Sequence, residues 1–241
     1  MQWLDKYKFL RLAKRFKNSW NKNELNFVLS NLKSGQTAFD IGAHRGIYSY
    51  FMCGAVGTTG NVYCFEPQKI MIEYLLKIKD LFRLDNLTVE HKALSNSTGD
   101  ITLNIPSHKG KPNTESASIL VHEERPLFKT ELVPMDTIDN YCNNRNLRPD
   151  FLKIDVEGHE LQVLQGARKT ISSFFPAILI EIEARHCGLE QGKATIQFLR
   201  DLGYNGWFFF NGDKLPIATF DFQIHQKDRH HYTNNFMFNK Q

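Results

Sequence analysis

No stretch of this 241-residue chain approaches the roughly 18 uninterrupted apolar residues that cross a bilayer. The amino terminus also lacks an apolar core followed by a small-residue cleavage site, so no secretory leader is expected and the chain reads as cytoplasmic. Cysteine is scarce: Cys53, Cys64, Cys142 and Cys187 form no CxxC pair, which points to buried reduced thiols rather than a zinc site or a disulfide scaffold. Internal repeats, low-complexity tracts and a second-domain linker are absent as well. With 41% apolar residues the chain can bury one substantial core, which predicts a domain over residues 35–241 behind an extension at 1–34.

The charge is uneven. Lys6, Lys8, Arg11, Lys14, Arg15, Lys17 and Lys22 face only Asp5 within residues 1–22, a surplus larger than the +4 of the whole chain. The remainder is slightly acidic, so no nucleic-acid partner is expected for the core. In the same segment Trp3, Tyr7, Leu10, Ala13, Phe16 and Trp20 recur at steps of three or four, predicting one apolar helical stripe. Two uses stay open: peripheral attachment to the inner membrane surface, or packing against the sheet or a second subunit.

Three stretches carry the most information: FDIGAHRG at 39–46, VYCFEP at 62–67 and FLKIDVEGHE at 151–160. Each is an apolar run ending in an acid or a glycine turn, which is how parallel strands deliver polar groups to the carboxyl edge of an α/β sheet. The pattern predicts helix to residue 32, strands at 37–41, 61–66 and 87–94, and helices from 47 and over 68–83, joined by right-handed crossovers. Residues 95–134 differ: ITLNI alternates like a surface strand, and the polar stretch 106–130 reads as a long loop. Then come a short helix capped by Asp136, a strand at 150–156, a helix at 160–172, a strand at 177–183 and a helix at 193–202. YNGWFFF and NNFMFN predict a terminal strand pair, with FFF at 208–210 in the sheet core.

Asp40 closes the first strand, and Gly42 and Gly46 let the backbone turn tightly beside a ligand. Glu66 ends the next strand, where a carboxylate can accept hydrogen bonds from both hydroxyls of a ribose. His44 and Ile47 occupy the places of the second and third glycines of a dinucleotide turn, so the cradle for a pyrophosphate is missing and a nicotinamide-dependent oxidoreductase is the weaker alternative. A DxGxxxG turn suits S-adenosylmethionine, which carries no phosphate.

FDIGAHRGIYSY, CFEP, VEHKALSNSTGD, LKIDVEGHE and LIEIEARH, in this order, resemble the FkbM-type family of S-adenosylmethionine-dependent methyltransferases, from about Thr37 to His186. The resemblance implies an α/β, Rossmann-like methyltransferase fold: a mostly parallel seven-stranded sheet with helices on both faces and an antiparallel carboxyl-terminal strand. It implies O-methylation of a hydroxyl on a sugar, glycan or natural-product acceptor. Carried over by position, Asp40, Gly42, Ala43, His44 and Gly46 would border the methionine part, Glu66 and Pro67 the ribose, and Ala93 and Leu94 the adenine. His44 departs from the asparagine common in relatives, though imidazole also donates and accepts hydrogen bonds.

Methyl transfer to an alcohol needs in-line alignment and a proton acceptor. Lys153, Asp155 and Glu157 alternate along the fourth strand and its exit, and Glu181 and Glu183 do so on the fifth, with His186 beyond. In one reading Asp155 or Glu157 is the base, oriented by Lys153 and Glu181. In the other, Lys153 and Glu181 form a buried ion pair and Glu157 caps the next helix. Carboxylates could hold a divalent ion, but the spacing does not indicate one. His225, His230 and His231 lie in a polar excursion and read as solvated. Asn113, Thr114, Ser116 and Ser118 are candidates for an acceptor pocket. A binding module that has lost turnover is the non-enzymatic alternative.

Overall fold

The structure, a computed structural model, describes residues 2–108, 111–114, 117–119, 127–227 and 232–240. The amino-terminal half runs α1 (Gln2–Arg15), a π-helical turn at Phe16–Trp20, α2 (Lys22–Asn31), β1 (Thr37–Ile41), α3 (Ile47–Val56), β2 (Asn61–Phe65), α4 (Lys69–Phe82) and β3 (Leu87–Glu90). Next come β4 (Ala93–Leu94), β5 (Gly99–His108), β6 (Lys111–Pro112), β7 (Leu127–Asp136), α5 (Ile138–Arg145), β8 (Phe151–Ile154), α6 (Glu160–Gln165), α7 (Arg168–Phe174) and β9 (Ala177–Glu181). The chain closes with α8 (Ala184–Cys187), α9 (Leu189–Asp201), β10 (Asn205–Phe210), β11 (Asp213–Pro216), α10 (Phe222–His225) and β12 (Asn235–Asn239).

The main sheet has the order β11-β10-β12-β9-β8-β1-β2-β3. Strands β3, β2, β1, β8 and β9 are parallel, and β12 enters antiparallel between β9 and β10. Among the described residues it has eight strands rather than the expected seven. Asn211 and Gly212, both at positive φ, turn the chain back so that β11 pairs with β10 as a hairpin. Side chains alternate between two cores: Phe39, Ile41, Ile154 and Ile180 face α5, α6, α7 and α9, whereas Ala38, Val62 and Phe151 face α2, α3 and α4. Phe208 is buried in the sheet, as its run predicts. Burial of these faces from water is the dominant stabilising contribution.

Several local expectations change. The strand expected at 87–94 stops at Glu90 and resumes as β4 in a second sheet of order β4-β7-β5-β6. That sheet takes in both ends of the expected loop 106–130 and Lys111–Pro112, and β5 pairs antiparallel with β7 from Gly99 to Pro106. Thr137, not Asp136, caps α5 by accepting from the Asn140 amide at 3.0 Å, while Asp136 accepts from the Thr137 amide. The helix expected at 160–172 is broken at Gly166, where any Cβ would come within 1.9 Å of the Ser95 carbonyl oxygen. On α1 and the turn that follows it the inward stripe is Phe9, Leu12, Ala13 and Phe16, packed on Ile47, Ile78, Tyr50 and Phe82; Tyr7 and Leu10 face outward. Among the described residues no helix is long and apolar enough to cross a membrane.

Candidate active site

The turn after β1 is held from both neighbours. The amides of Gly42 and Ala43 donate to the Phe65 carbonyl at 3.0 and 3.2 Å, and the Asp155 amide donates to the Ile41 carbonyl at 3.1 Å. Gly42 has φ +76°, and a Cβ there would stand 1.7 Å from the carbonyl oxygen of Asp155. Only glycine lets β1 and the exit of β8 approach this closely. His44 also adopts a positive φ, which turns its amide toward Glu66.

Glu66 is buried. Its Oε2 accepts from the His44 amide at 2.8 Å and its Oε1 from the Gln68 amide at 2.9 Å. Burial pushes its carboxyl up to about 7 despite these donors. Glu66 lies in the wall of a cavity of about 270 Å³ with Gly42, His44, Pro67, Ala93, Leu94, Asp155, Glu157 and Glu181. The second sheet and its adjoining segment complete the wall through Leu103, Thr114, Ala117, Ser118 and Ile119. Two contacts fasten that segment to the turn after β1 and the segment after β2: His44 Nε2 lies 3.1 Å from Thr114 Oγ1, and Gln68 Nε2 donates to the Thr114 carbonyl at 3.0 Å. Ser118 Oγ donates to the Glu157 carbonyl at 2.8 Å.

Three residues expected to border the cofactor sit differently. Asp40 is fully buried beneath the turn, accepts from Ser49 Oγ at 2.5 Å and lies outside the cavity wall. Ala43 lines a neighbouring cavity with His44, Tyr48, Lys153 and Asp155, and Gly46 sits at the start of α3. Of the acceptor-pocket candidates, Thr114 and Ser118 are in the wall, Asn113 is not, and Ser116 lies outside the described residues.

Lys153 pairs in register with Asp40 across β1 and β8. Its Nζ lies 3.2 Å from Asp155 Oδ2 and 3.5 Å from Asp40 Oδ1, and donates to the Gly42 carbonyl at 2.9 Å. Burial pulls this ammonium down, but Asp155 and Asp40 outweigh it and hold it above the ordinary lysine range. The ion pair is therefore with Asp40 and Asp155; no Lys153–Glu181 bridge forms. Glu157 does not cap α6, which starts after His159 with no side-chain cap; Glu160 Oε1 instead accepts from the loop amides of Val156 and Gly158 at 3.3 and 3.0 Å. Glu157 leaves the alternation because β8 ends at Ile154 and Glu157 takes φ +55°.

Glu157 reaches His186 instead, with Oε2 2.9 Å from Nδ1; the other ring nitrogen lies 3.6 Å from Glu183. Arg185 pairs with the same Glu183 carboxylate, and Asn234 Nδ2 bridges Glu181 and Glu183 at 2.7 Å each. Burial raises the Glu157 carboxyl against the opposing pull of His186, and burial together with Asp155, Glu183 and Glu157 raises Glu181 further. The arrangement can hold hydroxyl groups and accept a proton. Sequence reasoning missed Gln68 and Asn234; the EPQ triplet after β2 could have signalled Gln68.

Among the described residues no group of three or more His, Cys, Asp or Glu is placed to hold a metal ion. His225 is buried, stacked on Phe220 at 5.2 Å, and its Nδ1 accepts from the Asp221 amide. It is a core histidine rather than a solvated one, and His230 and His231 lie outside the described residues.

A family model for the methyltransferase FkbM domain matches residues 40–205, the span that carries β1 through the start of β10. The chain belongs to the FkbM methyltransferase family. It is 27% identical over 175 residues to the hexuronic acid methyltransferase AglP of Haloferax volcanii, covering 71% of this chain and 64% of that protein. The chain thus spans just under two thirds of the length of that relative. Its fold matches the crystal structure of methyltransferase FkbM from Methylobacillus flagellatus KT, with TM-score 0.56, 19% identity, and coverage of 95% of this chain and 57% of that one. It also matches cofactor-bound Rv0187 from MTB, with TM-score 0.54, 10% identity, and coverage of 96% and 88%. These likenesses show a Rossmann-like methyltransferase fold.

Proposed function

We propose that this FkbM-family chain is an S-adenosylmethionine-dependent methyltransferase acting on a hydroxyl of a sugar or glycan-like acceptor. The observation that carries the reading is one cavity walled by Glu66, the Gly42 turn and the carboxylates Asp155, Glu157 and Glu181. The residues fit the cofactor. Glu66 accepts one backbone amide at each oxygen with the Gln68 side chain beside it, leaving carboxylate lone pairs for ribose hydroxyls, and among the described residues the buried Oε1 of Gln68 in the same wall has no hydrogen-bond partner. Ala93, Leu94 and Leu103 offer an apolar slot for a base.

When bound, S-adenosylmethionine supplies a methyl group whose bond to sulfur breaks as its bond to the acceptor oxygen forms. Glu157 takes the hydroxyl proton in this proposal. Burial lifts its affinity for a proton, and His186, fixed between Glu157 and Glu183, orients its carboxylate. Asp155 and Glu181 accept hydrogen bonds from the acceptor, and Lys153 anchors Asp155. The likeness to a hexuronic acid methyltransferase supports a carbohydrate hydroxyl. A carboxylate-lined wall also suits the dense hydroxyls of a sugar.

The test has two arms. S-adenosylhomocysteine should raise the melting temperature and NAD should not, since the dinucleotide turn lacks its glycines. Radiolabelled methyl should then appear on glycan extracts in a Glu157-dependent manner. Stabilisation by NAD alone, or cofactor binding without transfer to any extract, would refute the enzymatic reading.

A further inference from the structure

Helix α1 is apolar on two sides. Its inner side holds the helix to α3 and α4 through Phe9, Ala13 and Phe16. Its outer side presents Leu4, Tyr7 and Leu10, exposed by 53, 56 and 41%, and the same helical face continues into the exposed Arg11 and Lys14. The one acid of the helix, Asp5, is tied to Lys77 at 2.6 Å and lies toward the packed side.

An apolar patch alone leaves its occupant open, and cations alone suit any polyanion. The combination on one face is more selective. Nucleic-acid phosphates would use Arg11 and Lys14 but leave Leu4 and Leu10 in water. At an anionic bilayer the phosphates take the cations while the aliphatic and aromatic side chains enter the boundary of the acyl region. We infer that the outer face of α1 docks this protein on an anionic lipid surface, with Leu4, Tyr7 and Leu10 entering the headgroup layer and Arg11 and Lys14 on its phosphates.

The inference stands on the helix and does not rest on methyl transfer. The inner side of the same helix supplies Leu12 and Phe16 to the cavity beside Gly42, Lys153 and Asp155. Docking would bring that opening within about one helix diameter, roughly 10 Å, of the lipid surface.

Co-sedimentation of the full chain with vesicles tests this. Vesicles of phosphatidylcholine with roughly 30% phosphatidylglycerol should retain the protein and pure phosphatidylcholine should not. Binding should fall at least about tenfold as salt rises from about 0.1 to 1 M, where screening shortens from about 10 to 3 Å. Leu4→Ser with Leu10→Ser should weaken binding roughly tenfold, and Arg11→Glu with Lys14→Glu should abolish it, each with an unchanged melting temperature because none of these side chains is in the core. Failure to bind anionic vesicles would overturn the proposal. So would binding indifferent to the leucine pair, or single-stranded RNA held as tightly as the vesicles. The thermal shift with S-adenosylhomocysteine is read separately, so either proposal can fail alone.

Discussion

The amide of His44 donates to Oε2 of Glu66 at 2.8 Å, which makes the turn after β1 and the acid after β2 a single unit. The positive φ at His44 sets the direction of that amide, and Gly42 sets the path that leads to it. A departure from the usual asparagine at position 44 therefore leaves this contact intact, because the backbone makes it.

The first prediction concerns pH and cofactor affinity. The Glu66 carboxyl is pushed up to about 7, and in the proposed site ribose hydroxyls would donate to its ionised form. Below that pH the carboxyl must first lose a proton, so the dissociation constant for S-adenosylhomocysteine should rise roughly tenfold from pH 8 to pH 6. Glu66→Gln should bind weakly with a flat profile. Calorimetric titration at several pH values checks both; a flat profile in the unaltered protein would remove Glu66 from the ribose site.

The second concerns backbone approach. At Gly42 an added Cβ would meet the Asp155 carbonyl at 1.7 Å with φ at +76°, so Gly42→Ala must separate β1 from the exit of β8. We expect a loss of at least about 3 kcal/mol in urea unfolding, together with loss of cofactor binding. Gly54, inside α3, has nothing within 4 Å of such a Cβ. Gly54→Ala should therefore be stabilising, by about 0.5–1 kcal/mol.

The strand ends were legible because an apolar run ending in Asp40, Glu66 or Asp155 is a local signal, and a parallel sheet places such ends on one edge. The second sheet was not. Its strand β7 is largely exposed and carries Pro134, and its paired residues in β5 lie more than twenty positions away across a polar stretch, so composition suggested a loop. The amino-terminal helix misled for another reason. Two apolar stripes overlap at Ala13 and Phe16, and only packing against Ile47 and Ile78 decides that Phe9 and Leu12, not Tyr7 and Leu10, turn inward. Alternation placed Asp155 correctly beside Lys153 but failed at Glu157, where the turn begins.

The third prediction concerns the Lys153–Asp40 pair. Asp40 is fully buried, and Lys153 is the cation beside it. Lys153→Met leaves that carboxylate uncompensated and should cost about 3–5 kcal/mol in chemical unfolding. Adding Asp40→Asn should recover much of the loss, since the amide oxygen still accepts from Ser49 and no charge stays buried. A double variant no better than the single one would show that Lys153 acts by packing over Tyr48 rather than by charge.

The last prediction concerns Glu160, which fixes the turn that aims Glu157. Its Oε1 takes the amides of Val156 and Gly158, while its buried Oε2 has no hydrogen-bond partner. Burial raises this carboxyl from 4.5 to about 7. Because the folded value lies above the unfolded one, the penalty is absent well below pH 4.5, grows as pH rises from 4.5 to about 7, and is complete above that, where the folded chain carries a buried carboxylate. Glu160→Gln keeps the accepting oxygen and removes the charge. It should match the native stability at pH 4 and exceed it by something on the order of 3 kcal/mol at pH 8.5, measured by urea unfolding at each pH. If the variant were instead less stable at pH 8.5, the ionised carboxylate would be the form the turn requires, and the orphaned Oε2 would need a donor that accompanies the bound ligands.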